Sequence, residues 1–147
     1  MEYKLTIDPH AEESIHIIAN KKSELTQELE NVILRHSHAD QILGYRQEDM
    51  KILPFSQIDC FTVLENKTYA YDARGDRYRV KLRLYELEQR LPGNFVRINK
   101  SAIGNLNRID RFAEGFGGSV DAVFVCGYRE YISRRCFANI RRRLEKL

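Results

Sequence analysis

From residue 41 onward the sequence repeats one device: a short apolar run, a polar or glycine-bearing tip, then another short apolar run. Runs of this length punctuated by turn residues point to antiparallel sheet. They fall at 42–45, 50–53, 58–64, 69–71, 109–112 and 120–126, with 54–57 as a turn or a single helical turn. The most regular is 77–84, where Tyr78, Val80, Leu82 and Leu84 alternate with Arg77, Arg79, Lys81 and Arg83. Alternation without a fault is mainly a burial signal. The four cations on the other face suit protection of an exposed or edge strand, and tracking of a phosphate backbone is the second reading they leave open.

Three stretches break this rhythm with helical spacing. Residues 23–36 carry Leu25, Leu29, Val32 and Ile33 on one face, with Glu24 in the first turn and Arg35 and His36 in the last, as the helix macrodipole favours. Leu84, Leu87 and Leu91 stand at i, i+3 and i+7 before Pro92 and Gly93 end the helix. The last segment offers a face of Phe137, Ile140, Leu144 and Leu147 with Ser133 as N-cap. Ahead of these, Tyr3, Leu5 and Ile7 alternate, and 15–19 is apolar, so a strand pair opening the chain is expected.

Two places concentrate groups suited to an anion or to base edges. In NFVRINKSAIGN at 94–105, Asn99, Lys100 and Ser101 interrupt an apolar run with side chains that all donate hydrogen bonds, and Arg97 adds a cation. A solvated turn between two strands would look the same. At the start of the final helix, Arg134 and Arg135 occupy the first turn, where the macrodipole disfavours positive charge. The free N–H groups there favour a phosphate, and the arginines would complete that site or reach past it to guanine edges. Arg141 to Arg143 lie where cations are ordinarily favourable, so they say less.

The net charge of +3 conceals an asymmetry: residues 1–66 hold six Lys/Arg against twelve Asp/Glu, and 67–147 hold eighteen against nine. A basic half is the footprint of a polyanion-binding surface, although solvated charge alone could produce it. Cys60, Cys126 and Cys136 are odd in number and lack CxxC spacing, which argues against a disulfide framework or zinc site and for reduced, core-filling thiols. His36 and His38 lack partner ligands, so no metal is expected. No nucleophile with a spaced base and no paired carboxylates are present, and GFGG at 115–118 lacks the spacing and lysine of a P-loop. Neither an enzyme, a cofactor nor a small-molecule substrate is expected. The opening residues have no signal-peptide pattern and no run is long enough for a membrane span, so the expected location is cytoplasmic.

With these residues assembled, the chain from 41 to 147 resembles the LytTR family of bacterial DNA-binding domains. The resemblance rests on FVRINKSAIGN at 95–105, preceded by LRLYELEQRLP at 82–92 and followed by YISRRCFANI at 131–140. It implies an α+β, mainly antiparallel fold of stacked small sheets with short helices, preceded here by a β-β-α segment at 1–40. It implies a transcription regulator that binds direct repeats in double-stranded DNA through loops entering successive grooves of a bent duplex. By position, the contacts implied are Asn66 and Lys67, then Asn99, Lys100 and Ser101, then Ser133, Arg134 and Arg135. No phosphoacceptor receiver domain stands ahead of the reader in this sequence, which leaves phosphorylation by a histidine kinase unsupported. Residues 1–40 look like those of stand-alone members, some of them held in check by a membrane protein, so a homodimer or a membrane-protein inhibitor is the partner to expect there. The rival reading is an RNA-binding module, for which Tyr69 and Tyr71 are the candidate stacking residues.

Overall fold

The computed structural model describes residues 2–11, 15–37 and 40–146, with the side chains of 34–37 excepted. Helix α1 (Glu24–Ser37) starts at a reciprocal cap, in which Ser23 Oγ accepts from the Thr26 N–H at 3.2 Å and Thr26 Oγ1 accepts from the Ser23 N–H at 2.8 Å. Strands β1 (Gln41–Arg46), β2 (Asp49–Pro54), β3 (Ile58–Leu64), β4 (Lys67–Asp72) and β5 (Arg77–Val80) follow, then helix α2 (Leu84–Arg90) and the hairpin of β6 (Phe95–Asn99) and β7 (Ala102–Asn105). The chain closes with β8 (Ile109–Glu114), β9 (Val120–Phe124), β10 (Arg129–Ile132) and helix α3 (Arg134–Glu145). A seven-stranded antiparallel sheet has the order β2-β1-β5-β4-β3-β7-β6, and a second sheet has the order β10-β9-β8.

The two faces of the large sheet are buried by different partners. On one, Phe61, Ala70, Tyr78, Val80 and Ile103 pack under Leu84, Leu87 and Leu91, so the leucine spacing of α2 is a packing device. Phe95 joins Phe55 and Phe61 with ring centroids 6.1 and 5.9 Å apart. On the other face, Cys60, Ile98 and Ala102 meet Ala122 and Phe124 of the small sheet, together with Ile132 and Ile140. The sheets approach so closely at Gly104 that a Cβ there would stand 3.1 Å from the Phe124 ring and 3.3 Å from Ile98.

Buried polar groups tie the layers and the strands within them together. Asp59, fully buried, accepts from Arg108 Nε at 2.7 Å and from the Cys126 N–H at 3.0 Å. Asn105 donates through Nδ2 to Ile58 O at 2.9 Å, and its Oδ1 accepts from Asn94 Nδ2 at 2.7 Å and from the Asn107 N–H at 3.0 Å. Every buried side-chain polar atom among the described residues has a partner, as a close-packed interior requires.

Three expectations change. Residues 2–8 and 15–19 run outside any ladder, so among the described residues the leading segment carries α1 without the strand pair of the expected β-β-α unit. Alternation supplies one apolar face, but a strand pair also needs something to cover that face, and Tyr3, Leu5, Ile7 and Ile18 are exposed along the chain. The strand expected over 77–84 stops at Val80 because Leu84 opens α2; Glu86 fixes that start by accepting the Arg83 N–H. Nor is β5 an edge: β1 and β4 flank it. Residues 12–14, His38, Leu147 and the His36 side chain lie outside the described set, and with them the expected histidine placement and the last contact of α3.

Candidate nucleic-acid interface

The tip between β6 and β7 is held from several sides. Asn99 Oδ1 accepts from the Ser101 N–H at 2.7 Å, a local turn built by the side chain itself, while Asn99 Nδ2 donates to Tyr131 O on β10 at 2.6 Å. Arg97 Nη1 donates to Lys100 O at 2.8 Å, and the same guanidinium pairs with Glu88 on α2. Arg97 therefore braces the tip instead of extending from it. Lys100 is left exposed and, among the described residues, without a carboxylate partner.

The other two candidate positions are tied to this tip by backbone. Ser101 O accepts from the Val63 N–H at 2.8 Å, joining it to the β3–β4 hairpin. Glu65 and Asn66 turn that hairpin with φ of 52° and 64°, the left-handed pair that a two-residue turn requires and that asparagine tolerates. Lys67 follows them, exposed. On the opposite side, the Ser133 N–H donates to Ile98 O at 2.8 Å, and Ser133 Oγ caps α3 by accepting from the Cys136 N–H at 3.2 Å. Arg134 and Arg135 then project from the first turn of α3, exposed and without a carboxylate partner among the described residues. Three separate stretches of sequence thus meet along one rim. Asn99, Lys100, Ser101 and Ser133 line a common groove of about 590 Å³, and Arg134 lines the next hollow, against Gly117 and Gly118.

The floor of the groove holds Tyr71, a candidate stacking residue of the RNA reading, together with Tyr128 and Glu130, which sequence spacing does not single out. Tyr71 and Tyr128 stack with centroids 3.8 Å apart, and Tyr128 Oη donates to Glu130 at 3.0 Å. The second Glu130 oxygen accepts from the Tyr131 N–H at 3.0 Å. A signal existed: with period two, Glu130 is in phase with buried Ile132, so it faces inward from its strand. Burial pushes the Glu130 carboxyl up from its ordinary value of 4.5, aided by nearby Asp121 and opposed by the Tyr128 and Tyr131 hydrogen bonds. Burial also holds the Tyr128 hydroxyl far above its usual range, which keeps it a donor.

This raised carboxyl has a stability consequence. Between its unfolded and folded values the native state binds more protons than the unfolded chain, so its contribution declines as pH rises through that window. The melting-temperature difference, wild type minus Glu130→Gln, should therefore shrink from pH 4.5 toward neutrality. Thermal melts of both proteins across that range check it; a flat difference would contradict the assignment.

The cysteines are free thiols. Burial raises Cys60 and, with Asp59 beside it, pushes Cys126 up to about 11, so both stay protonated and unreactive at neutral pH. Among the described residues, no cluster of His, Cys, Asp or Glu is arranged to hold a metal, and no helix is long and apolar enough to cross a membrane.

Comparison with known proteins bears on the fold and the family. The family profile described as the LytTr DNA-binding domain matches residues 48–145. An uncharacterized HTH-type transcriptional regulator of Staphylococcus aureus strain bovine RF122 / ET3-1 is 32% identical over 145 residues, covering 98% of each chain. A protein of the same description from strain NCTC 8325 / PS 47 is 31% identical with the same coverage. A LytTr DNA-binding domain from Bacillus cereus superposes with a TM-score of 0.65 at 22% identity, covering 74% of this chain and 99% of that one. Helix-turn-helix describes those relatives by name; here no described helix follows another across a turn, and α3 follows directly on a strand. Mainly antiparallel stacked sheets, the basic rim between them and the match over 48–145 together place this chain in the LytTR family of DNA-binding domains, among transcriptional regulators.

Proposed function

We propose that the chain is a cytoplasmic, sequence-specific regulator that recognises direct repeats in promoter DNA. Its three tied loops enter successive grooves and bend the duplex. The observation that carries this reading is the rim itself: Lys67, Lys100, Arg134 and Arg135 lack carboxylate partners among the described residues, yet backbone hydrogen bonds at 2.8 Å hold their loops side by side. In this reading Asn66 and Lys67 enter first, Lys100 and Ser101 next, and Arg134 and Arg135 last. Asn99 and Ser133 contribute mainly by shaping the tip and the cap that their hydrogen bonds build. An RNA module is less favoured, because Tyr71 stacks on Tyr128 and the Tyr69 ring is covered by Arg77 at 4.5 Å, leaving little free ring face for bases.

The test is to select duplexes from a random-sequence pool with the full protein, then titrate the selected duplex, a scrambled duplex and single-stranded RNA of the same sequence. Preference for the selected duplex is expected, with affinity falling steeply as salt rises through counterion release. Equal affinity for RNA, or affinity indifferent to salt, would overturn the reading.

Residues 1–40 are proposed to serve a homodimer or a regulatory partner such as a membrane-protein inhibitor. Leu25, Leu29 and Val32 are each about 40% exposed on α1, which suits a face awaiting a partner. Exchanging Leu25 and Leu29 for glutamine should alter self-association or partner capture in sedimentation, while the preference for selected over scrambled DNA persists. Lost preference with unchanged association would assign this helix to DNA reading instead.

A further inference from the structure

We infer that the open half of the large sheet, led by Arg77 and Arg79 of β5, is a second binding surface for the same duplex. It would bind the sugar-phosphate backbone flanking the stretch that the loops read, an inference that rests on the DNA-binding reading above. Edge protection does not account for these cations, because β5 is hydrogen-bonded on both sides, to β4 along its length and to β1 at Tyr45↔Arg79. Burial explains Tyr78 and Val80 on the inner face; it does not explain why the outward positions are cations.

Register connects this face to the rim. Across the sheet Thr62, Tyr69, Arg79 and Tyr45 stand opposite one another in successive strands, and so do Cys60, Tyr71 and Arg77. Thr62 and Tyr71 wall the groove that also holds Lys100 and Ser133. At about 4.8 Å per strand, Arg79 lies about 10 Å beyond Thr62, within reach of the same duplex. Two cations here are steadied without being neutralised. The Arg77 guanidinium sits 4.5 Å over the Tyr69 ring and Lys81 Nζ sits 4.6 Å over Tyr45. Neither they nor Arg79 have a carboxylate partner among the described residues, whereas neighbouring Arg46 and Lys51 pair with Asp76 and Asp72. Past Tyr45 the face turns to exposed Leu43, Met50 and Ile52, which suit no phosphate and bound the track. A flat sheet face does not enter a groove, so it positions the protein and carries no base readout.

The experiment compares full-length wild type with an Arg77→Gln/Arg79→Gln variant on the duplex that the wild type selects. Two lengths are used: trimmed to the site that still discriminates, and extended by one helical turn on each side. On the extended duplex, the slope of log affinity against log salt should lessen by about 0.9 for each phosphate that the variant no longer neutralises. The ratio of selected to scrambled affinity should be unchanged, the trimmed duplex should show no change of slope, and Arg77→Lys/Arg79→Lys should retain the wild-type slope. If the double glutamine variant does not fold, Lys81→Gln at the strand's end provides the same reading, with a slope lessened by about 0.9. An unchanged slope in a folded glutamine variant overturns the inference alone. So does a lost sequence ratio, which would make these residues base readers, or a loss confined to single-stranded RNA, which would make Tyr45 and Tyr69 a stacking platform. A wild type that selects no sequence from the pool overturns the regulator reading and takes this inference with it.

Discussion

Arg135→Ala should weaken binding to the selected duplex by roughly 5- to 150-fold, the equivalent of about 1–3 kcal/mol for a bidentate arginine on guanine, while binding to scrambled duplex changes far less. The first turn of a helix is a poor place for a cation unless an anion or a polar base edge meets it. Arg135 stands there exposed, and no carboxylate among the described residues relieves it. Arg142 is the internal control, because its guanidinium is engaged along the helix, with Nη2 donating to Asn139 Oδ1 at 2.6 Å and Nε to Ala138 O at 3.4 Å. Arg142→Ala should leave both affinities nearly unchanged. Lys100→Ala should fall between them and weaken all duplexes alike, as a positioning residue does. Matched titrations at one salt concentration, with melts to confirm folding, decide the matter. Equal losses on both duplexes for folded Arg135→Ala would move that residue to the backbone and leave specificity to the other loops or to DNA deformability.

Local pattern carried much of this fold. The leucines of α2, the Ser133 cap and the β6–β7 hairpin lie where spacing and residue type put them, because each depends on neighbours within a few residues. What spacing does not carry is the identity of distant partners. Arg97 reads as a free cation until α2 brings Glu88 to it, and Asn99 reads as a free donor until β10 presents the Tyr131 carbonyl, 32 residues away. The same limit explains β5: period two reports burial on one face, not whether a strand has one neighbour or two. At the N-terminus alternation promised strands, but a ladder needs a partner edge and a covered face, and the single chain supplies neither to residues 2–8. The rim became visible only when three segments, unremarkable one by one, were tied together by backbone hydrogen bonds.

Asp59 is the residue on which that assembly depends most, and replacing it should cost more stability than any change on the rim. Its carboxylate is fully buried in β3, yet both partners belong to the other layer: Arg108 leads into β8, and the Cys126 N–H lies in the β9–β10 turn. Asp59→Ala leaves a guanidinium and a backbone N–H without their acceptor at the junction of the sheets. Removing one partner of a buried pair costs about 3–5 kcal/mol, and Arg108, a quarter exposed, can recover some hydration, so about 3 kcal/mol is expected. For a chain of this length that lowers the melting temperature by roughly 10 °C. Asp59→Asn keeps one acceptor oxygen, for either the Cys126 N–H or Arg108, and turns its amide donor toward the other, so its loss should be smaller. The double variant Asp59→Ala/Arg108→Ala should lose less than the sum of the single variants, since each partner's loss already removes the shared bond. DNA binding should weaken too, even where the variant is folded. The small sheet sets Tyr131 and Ser133, which hold the β6–β7 tip and the α3 start in line, and a looser junction misaligns Lys100 with Arg134 and Arg135. Melts of these variants and of Arg108→Ala, and titrations on the selected duplex well below their transitions, measure both effects. An Asp59→Ala protein that melts within a degree or two of wild type would show that apolar packing around Phe124 and Gly104 holds the sheets in register without the carboxylate.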